Sequence, residues 1–384
     1  MNSMKQNRKQ TPKRISRAVV KVGSNVLTTL AGLNSDAIAS IGSQICQLLD
    51  RGMEIILVSS GAMASGMKKM GLAKRPEAIP KRQAIAAIGQ ADLIHAWEKA
   101  FNRFGRKVAQ ILLTSDDLTS RKRYLNARNT MNTLLEWQVV PIINENDTIM
   151  VEEIKLGDND NLAAMIALQM DADIFINLTD IDGLYDKDPR VHPDARLIER
   201  VTTYSKSIEK YAGDIPGALG TGGMLSKIKA ARKVTASGIP MVIAQGYRSD
   251  ILLRLANGEA HGTYFVPREQ KLNRKKCWIG YTVNPQGTVT IDAGAAKALV
   301  SNGKSLLPSG VVDVDGKFPA GAAVAVVTYD HRLIGNGLVN YNAEEIRIIM
   351  GSKSSQIKVR LGQKTYDEVI HRDNLVITGE PHQD

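Results

Sequence analysis

The chain has 384 residues, of which 43% are hydrophobic, and a formal net charge of +11. That length exceeds one typical domain, and the apolar share suffices for one large core and a second, smaller one. Cys46 and Cys277 are the two cysteines and stand far apart, which excludes a disulfide framework and a cysteine-based zinc site and suits a reducing cytoplasm.

The charge is local. Residues 1–17 hold Lys5, Arg8, Lys9, Lys13, Arg14 and Arg17 with no acid, and residues 268–276 hold Arg268, Lys271, Arg274, Lys275 and Lys276 against Glu269. Together these two clusters carry ten of the eleven net charges, so they read as solvated basic segments and not as one nucleic-acid face. Residues 1–16 are expected to form a flexible tail. They lack an apolar stretch of the kind that directs export, and no run of about 18 apolar residues occurs anywhere, so a cytoplasmic protein without membrane spans is expected.

From Arg17 to Gly246 short β-branched runs alternate with helical patterns. Strands are predicted at Ala18–Val22, Glu54–Ser59, Lys107–Leu113, Val139–Asn144, Asp173–Leu178 and Ile239–Ala244, each apolar on both faces. Between the first two, Ile38, Ile41, Ile45, Leu48 and Leu49 share one face of a helix predicted over Ser35–Leu49, and Gly52 follows as a stop signal. The layout is α/β: a three-layer, open, mostly parallel sheet.

Open sheets of this kind bind ligands at the C-terminal ends of their strands, and four turns there are unusual. Lys21-Val22-Gly23-Ser24-Asn25 follows the first strand, and Lys21 lies in an otherwise apolar run where a lysine needs an anionic partner. Ser59-Ser60-Gly61-Ala62 follows the second; glycines there let backbone N–H groups approach an anion, although any strand-to-helix turn is glycine-rich for steric reasons. Asn144-Glu145-Asn146-Asp147 is joined by Gly157-Asp158-Asn159-Asp160-Asn161 ahead of a helix predicted over Leu162–Met170, and capping that helix needs only one of these polar residues. Gly220-Thr221-Gly222-Gly223-Met224-Leu225-Ser226-Lys227 opens a helix predicted over Met224–Ser237, with Lys227 in the first turn against the helix dipole, where a bound polyanion would compensate.

Other phosphate and metal motifs fail residue by residue. A Walker A loop ending at Gly303-Lys304-Ser305 would need glycine where Ala298 stands, and Gly335-Asn336-Gly337 does not continue as a dinucleotide fingerprint. The six histidines are scattered without ligand or triad spacing.

After Pro267 the pattern changes. A basic linker is expected over 268–284 and a small, mainly β domain over 285–363, with strands at Thr288–Ile291, Gly310–Val314, Ala323–Thr328 and Glu345–Ile349. Turn signals stand at Asp315-Gly316 and Gly335-Asn336-Gly337, and residues 364–384 are expected to be a tail.

Taken in order, Lys21 to Ser24, Val58 to Ala62, Asn144 to Asp147, Gly157 to Leu162, Thr179-Asp180 with Asp182 to Tyr185 and Asp188-Pro189, and Gly220 to Lys227 resemble the amino-acid kinase family. Within it they are most similar to members that phosphorylate the side-chain carboxylate of glutamate. The segment Thr288 to Ile349 resembles the PUA domain, and the pairing of the two favours those members.

The resemblance implies an amino-acid kinase fold over 17–267, with ATP and Mg²⁺ as phosphoryl source. It assigns Lys21, Lys227 and Asp160 to catalysis, with Asp160 positioning both ammonium groups. Ser60, Gly61, Asn144, Asp147 and Asn159 would bind glutamate, Asp147 taking the α-ammonium. Lys21, Thr179, Asp180, Thr221, Gly222, Gly223, Met224, Leu225, Ser226 and Lys227 would bind the nucleotide, and no residue is assigned to the metal. It also implies a place at the first step of proline synthesis, proline as a feedback inhibitor and a homo-oligomer. Leu225 and Ser226 inside the glycine loop are modest departures from the family pattern.

Two rivals remain open at this point. One is a relative acting on aspartate, acetylglutamate, carbamate or UMP, because one methylene discriminates weakly. The other is an RNA-binding protein working through the PUA segment. Residues 285–363 carry eight Lys or Arg against six Asp or Glu, with Phe318, Tyr329 and Tyr341 the aromatics, which is thin for a nucleic-acid surface and disfavours RNA as a partner.

Overall fold

The computed structural model describes residues 15–29, 32–149, 159–204, 208, 211, 223–268 and 274–378. Gly157, Asp158, Gly220, Thr221 and Gly222, and nearly all of the basic N-terminal segment, lie outside the described residues.

The larger unit is one sheet. In chain order come β1 (Arg17–Val22), a small hairpin of β2 (Thr28–Thr29) and β3 (Gly32–Leu33), β4 (Glu54–Ser59), β5 (Lys107–Leu113), β6 (Val139–Glu145), β7 (Ile174–Thr179), β8 (Arg200–Val201), β9 (Met241–Gln245) and β10 (Thr263–Phe265). The eight-stranded sheet has the order β5-β6-β4-β1-β7-β9-β10-β8; every pairing is parallel except β9 with β10. Parallel strands need crossover helices, here α1 (Ser24–Leu27), α2 (Ser35–Asp50), α3 (Ala62–Lys69), α4 (Ile79–Asn102), α5 (Ser115–Thr119), α6 (Arg121–Glu136), α7 (Asn159–Gln169) and α8 (Met224–Ala236).

The two-residue period of a strand decides what faces what. In β1, Ala18, Val20 and Val22 join the core with Ile38, Ile41 and Ile45 of α2 and Trp97 of α4, whereas Val19 joins the core on the opposite face with α7 and α8. Lys21 follows Val19 on that second face. In β7, Phe175 packs there too, so Asn177 and Thr179 take the same direction, and the register sets Asn177 beside Lys21. Helix α7 reads apolar nearly all round and is buried throughout its middle, as a helix with no solvent face must be.

Helices α3 and α4 touch backbone to backbone. A Cβ on Gly89 would lie 1.8 Å from the Ala62 carbonyl oxygen and one on Gly66 would lie 1.9 Å from that of Ile85, so neither position admits a side chain. This contact fixes the Ser60-Gly61 turn, since Gly61 is the N-cap of α3 with φ +110°, a left-handed conformation that favours glycine.

The second unit is a five-stranded sheet of order β12-β11-β13-β14-β15, formed by β11 (Gly287–Ile291), β12 (Val311–Gly316), β13 (Ala323–Thr328), β14 (Leu333–Leu338) and β15 (Leu375–Ile377). Three expectations are corrected here. Glu345–Ile349 is not a strand but lies in a helix, Ala343–Ile349, because Asn342 and Glu345 cap each other reciprocally at 2.9 Å and Ile346 and Ile349 bury at helical spacing. Gly335-Asn336-Gly337 is not a turn but the middle of β14, where a Cβ on Gly335 would lie 2.0 Å from the Val376 carbonyl oxygen. Residues 364–384 are not simply a tail: Val369, Ile370, Leu375 and Val376 are buried and β15 completes the sheet against β14.

Part of the expected linker is also structured. Arg274–Tyr281 forms a helix that buries Cys277 and Ile279 and packs against α7 on one side and β14 and β15 on the other.

Candidate active site

Because β1, β4, β6, β7 and β9 run parallel, their C-terminal ends meet along one edge, and that edge gathers the polar residues. At its centre Asp160, fully buried in the first turn of α7, faces two ammonium groups. Lys21 Nζ lies 2.5 Å from Asp160 Oδ1 and Lys227 Nζ lies 2.9 Å from Oδ2. Both lysines are buried as well. Burial by itself would push the Asp160 carboxyl up, but the charges and hydrogen bonds of Lys21 and Lys227 outweigh it and hold the group far below the ordinary carboxylate range. The cluster therefore carries one negative and two positive charges, an excess of one cation in a buried site.

Beside it lies a network of amides. Asn159, adjacent to Asp160 on α7, donates from Nδ2 to Ser60 Oγ (2.8 Å) and Asn144 Oδ1 (2.9 Å). Asn144 Oδ1 also accepts from the Glu145 backbone N–H (2.9 Å), and its Nδ2 donates to Gln90 Oε1 (2.7 Å) on α4. A backbone N–H can only donate, so it fixes the polarity of the whole chain: Asn144 must offer its oxygen, Asn159 must turn its nitrogen toward it, and Asn159 Oδ1 is left buried with no partner. A buried acceptor without a donor is costly, and a ligand bringing an N–H would relieve it.

Asp147 follows in the turn after β6, mostly buried. Burial pushes its carboxyl above the ordinary range, while the Arg75 guanidinium pulls the other way. On the other side of the lysine pair, Asp180 at the end of β7 accepts from Asn25 Nδ2 (2.7 Å) and Thr179 Oγ1 (3.0 Å). Burial works to raise the Asp180 carboxyl, and these bonds reverse that and hold it low. Gly223 caps α8 in an extended conformation, Met224 is buried, Leu225 packs partly into the core and Ser226 lies in the first turn with Lys227. Gly23 sits close to the end of β7, where a Cβ would lie 3.3 Å from the Leu178 carbonyl oxygen.

The structure thus gathers Lys21, Asp160 and Lys227 into one cluster and Ser60, Asn144 and Asn159 into a second that touches it. Gly61, Asp147, Thr179, Asp180 and Gly223 to Ser226 lie on the same edge. Three contributors were not read from the sequence: Gln90, Asn177, which donates to Asp160 Oδ1 at 2.8 Å, and Trp97, whose Nε1 donates to Ser59 Oγ at 2.8 Å.

The fold agrees with the comparisons. Residues 16–245 match the description "Amino acid kinase family" and residues 287–361 the PUA domain. The chain belongs to the amino acid kinase family. Among its relatives in that family, one from Thermoanaerobacter sp. (strain X514), described as a glutamate 5-kinase, is 50% identical over 362 residues, covering 94% of this chain and 97% of the relative. A glutamate 5-kinase from Syntrophus aciditrophicus is 48% identical over 374 residues, covering 97% of each chain. One from Geobacter sulfurreducens is 48% identical over 365 residues, covering 95% of this chain and 98% of the relative.

Proposed function

We propose that this chain transfers the γ-phosphoryl group of ATP to the side-chain carboxylate of L-glutamate, giving L-glutamyl 5-phosphate and ADP. The observation that supports it most is the adjacency of Asn159 and Asp160. One turn of α7 carries both an unpartnered acceptor in the amide pocket and the carboxylate that holds two ammonium groups. An acceptor amino acid in the first and a polyphosphate at the second would meet within a few ångströms.

The chemistry asks for positive charge and alignment and needs no strong base. A free glutamate carboxyl, with a pKa of about 4.3, is already ionised at neutral pH and is itself the nucleophile. Its oxygen forms a bond to the γ-phosphorus as the bond from that phosphorus to the β–γ bridging oxygen breaks, and ADP leaves with the bonding pair. Lys21 and Lys227 would donate to the phosphoryl oxygens, offsetting the repulsion between nucleophile and phosphate. Asp160 would keep both ammonium groups aimed while neutralising only one of them.

In the acceptor pocket, Ser60, Asn144 and Asn159 would hold glutamate, with Gly61 letting the turn approach it. Asn159 Oδ1 and Asp147 are two acceptors for the α-ammonium. Lys21, Thr179, Asp180 and the residues from Thr221 to Lys227 would flank ATP. Magnesium is read as part of the nucleotide substrate. Among the described residues no cluster of three or more His, Cys, Asp or Glu could hold a metal, and the Asp160 oxygens already face ammonium groups. An ion carried by phosphate oxygens and water would neutralise phosphate charge there.

The same reading carries its other expectations: catalysis at the first step of proline synthesis in the cytoplasm, a homo-oligomer, and proline competing in the glutamate pocket. No helix among the described residues is long and apolar enough to cross a membrane. Unchanged activity at millimolar-scale proline would remove the feedback expectation, and a salt-dependent shift of tRNA would reopen RNA binding. The substrate is tested by following ADP release from MgATP with glutamate, aspartate, acetylglutamate or UMP. Release with glutamate alone is expected; release with another acceptor would keep the fold and move the function to that substrate.

A further inference from the structure

Strand β7 reads Ile174, Phe175, Ile176, Asn177, Leu178, Thr179, and all six positions are buried. Asn177 is the one amide in this run, and it has no access to solvent. Its Oδ1 has no hydrogen-bond partner, so the side chain is not there to complete a network of its own. An aliphatic residue of similar size would fill a central strand without stranding a carbonyl. What the amide does make is one bond, from Nδ2 to Asp160 Oδ1 at 2.8 Å.

That bond falls on the oxygen that also takes the Lys21 ammonium at 2.5 Å. Lys21 and Asn177 are direct register neighbours on β1 and β7, pointing to the same face of the sheet beneath α7. The two donors differ in one respect. Under the function proposed above, Lys21 must share its N–H groups between Asp160 and the phosphoryl oxygens during the reaction, which weakens its hold on the carboxylate as charge builds there. Asn177 is neutral, short and set on a strand paired on both sides, with β1 and with β9, and it has nowhere to go.

We infer that Asn177 is a positioning residue for Asp160: it keeps Oδ1 hydrogen-bonded and the carboxylate torsion fixed while Lys21 engages the phosphoryl group. It touches neither substrate in this arrangement and acts through Asp160. The low-lying Asp160 carboxyl described above is consistent with a group that stays ionised throughout. The inference rests on the proposed reading of the site, and it assigns a role to a residue on which glutamate and ATP would make no contact.

The test compares the full-length wild type with Asn177→Leu and Asn177→Val, the second because a β-branched residue suits a buried strand. Glutamate-dependent ADP release and thermal melting are measured on each. The expected result is kcat lowered about 10-fold, the low end for one lost hydrogen bond to a charged group, with KM for glutamate and for ATP within about 2-fold and melting temperature not lowered. The same substitution placed in Asp160→Asn should change kcat little further, because its effect runs through that carboxylate. A folded Asn177 variant with wild-type kcat would overturn the inference, as would a loss that simply multiplies with that of Asp160→Asn. If wild-type protein itself shows no glutamate-dependent release, the proposed function fails instead, and the two failures are told apart by that control.

Discussion

Lys227 and Asp160 lie 67 positions apart in the chain, yet Lys227 Nζ sits 2.9 Å from Asp160 Oδ2 with both side chains buried. An ion pair buried in this way is sensitive to the loss of one member, since the charge left behind is poorly solvated. Asp160→Asn leaves two buried ammonium groups facing a neutral amide. It is expected to lower stability by about 3–5 kcal/mol and turnover by about 10²- to 10³-fold. Urea unfolding and ADP release measure the two.

The pH dependence of that pair has a definite sign. The folded-state value of Asp160 is depressed below its unfolded value of about 3.9, so its contribution is complete above that range and is lost as pH falls below it. Urea midpoints of wild type and Asp160→Asn should stay far apart between pH 8 and about 5 and converge under stronger acid. A gap that closes already near neutrality would contradict the ion-pair account.

Asp147 behaves in the opposite sense. Its carboxyl is raised by burial, so above the ordinary carboxylate range part of the protein still holds a proton there that an incoming ammonium would have to displace. The KM for glutamate should rise as pH is lowered from 7 toward 5, with kcat changing less. Asp147→Asn should raise KM and flatten that trend; a variant with wild-type KM across the series would remove Asp147 from the pocket.

Gln90 accepts from Asn144 and so helps hold the amide chain that ends in Asn159 Oδ1. Losing one such bond, about 1–2 kcal/mol, should raise KM for glutamate roughly 5- to 30-fold in Gln90→Leu while KM for ATP is unchanged. Gln90→Glu keeps an acceptor in place and should stay within about 3-fold of wild type. Steady-state kinetics with each substrate varied separates these outcomes.

Gly89→Ala would bring a Cβ to 1.8 Å from the Ala62 carbonyl oxygen, so α3 and α4 must part. Overpacking against rigid backbone is expected to cost about 1–3 kcal/mol or more, and the Ser60-Gly61 turn should shift with α3. Thermal melting together with KM for glutamate reports both; an unaltered melting temperature would argue against so close a contact.

Much of this site was legible because its residues break a local rule. A lysine inside an apolar strand, a lysine against a helix dipole and a crowd of amides beside a core each need a partner, and the fold brings Lys21, Lys227 and Asp160 together for that reason. Asn177 breaks the same rule inside Ile174–Thr179, so a search for single polar residues in buried strands would have found it. Gln90 carried no such signal, being one polar residue on a helix whose partner is 54 positions away. The parallel strands were legible from their apolar runs. In the second unit Glu345–Ile349 failed because five residues rich in isoleucine suit a strand or a buried helix turn, and the Asn342 cap decided between them. The glycines of β14 suggested a turn when the close approach of β15 required them.

Two ammonium groups acting on a carboxylate acceptor are the centre of this mechanism. Wild type, Lys21→Ala and Lys227→Ala, each shown to be folded by circular dichroism, would be incubated with MgATP and glutamate, and the acyl phosphate trapped with hydroxylamine as its hydroxamate. The expected result is hydroxamate from wild type that depends on both substrates and falls about 10²- to 10³-fold in each variant. Wild-type yields from either folded lysine variant, or no hydroxamate from wild type while ADP is released, would contradict it.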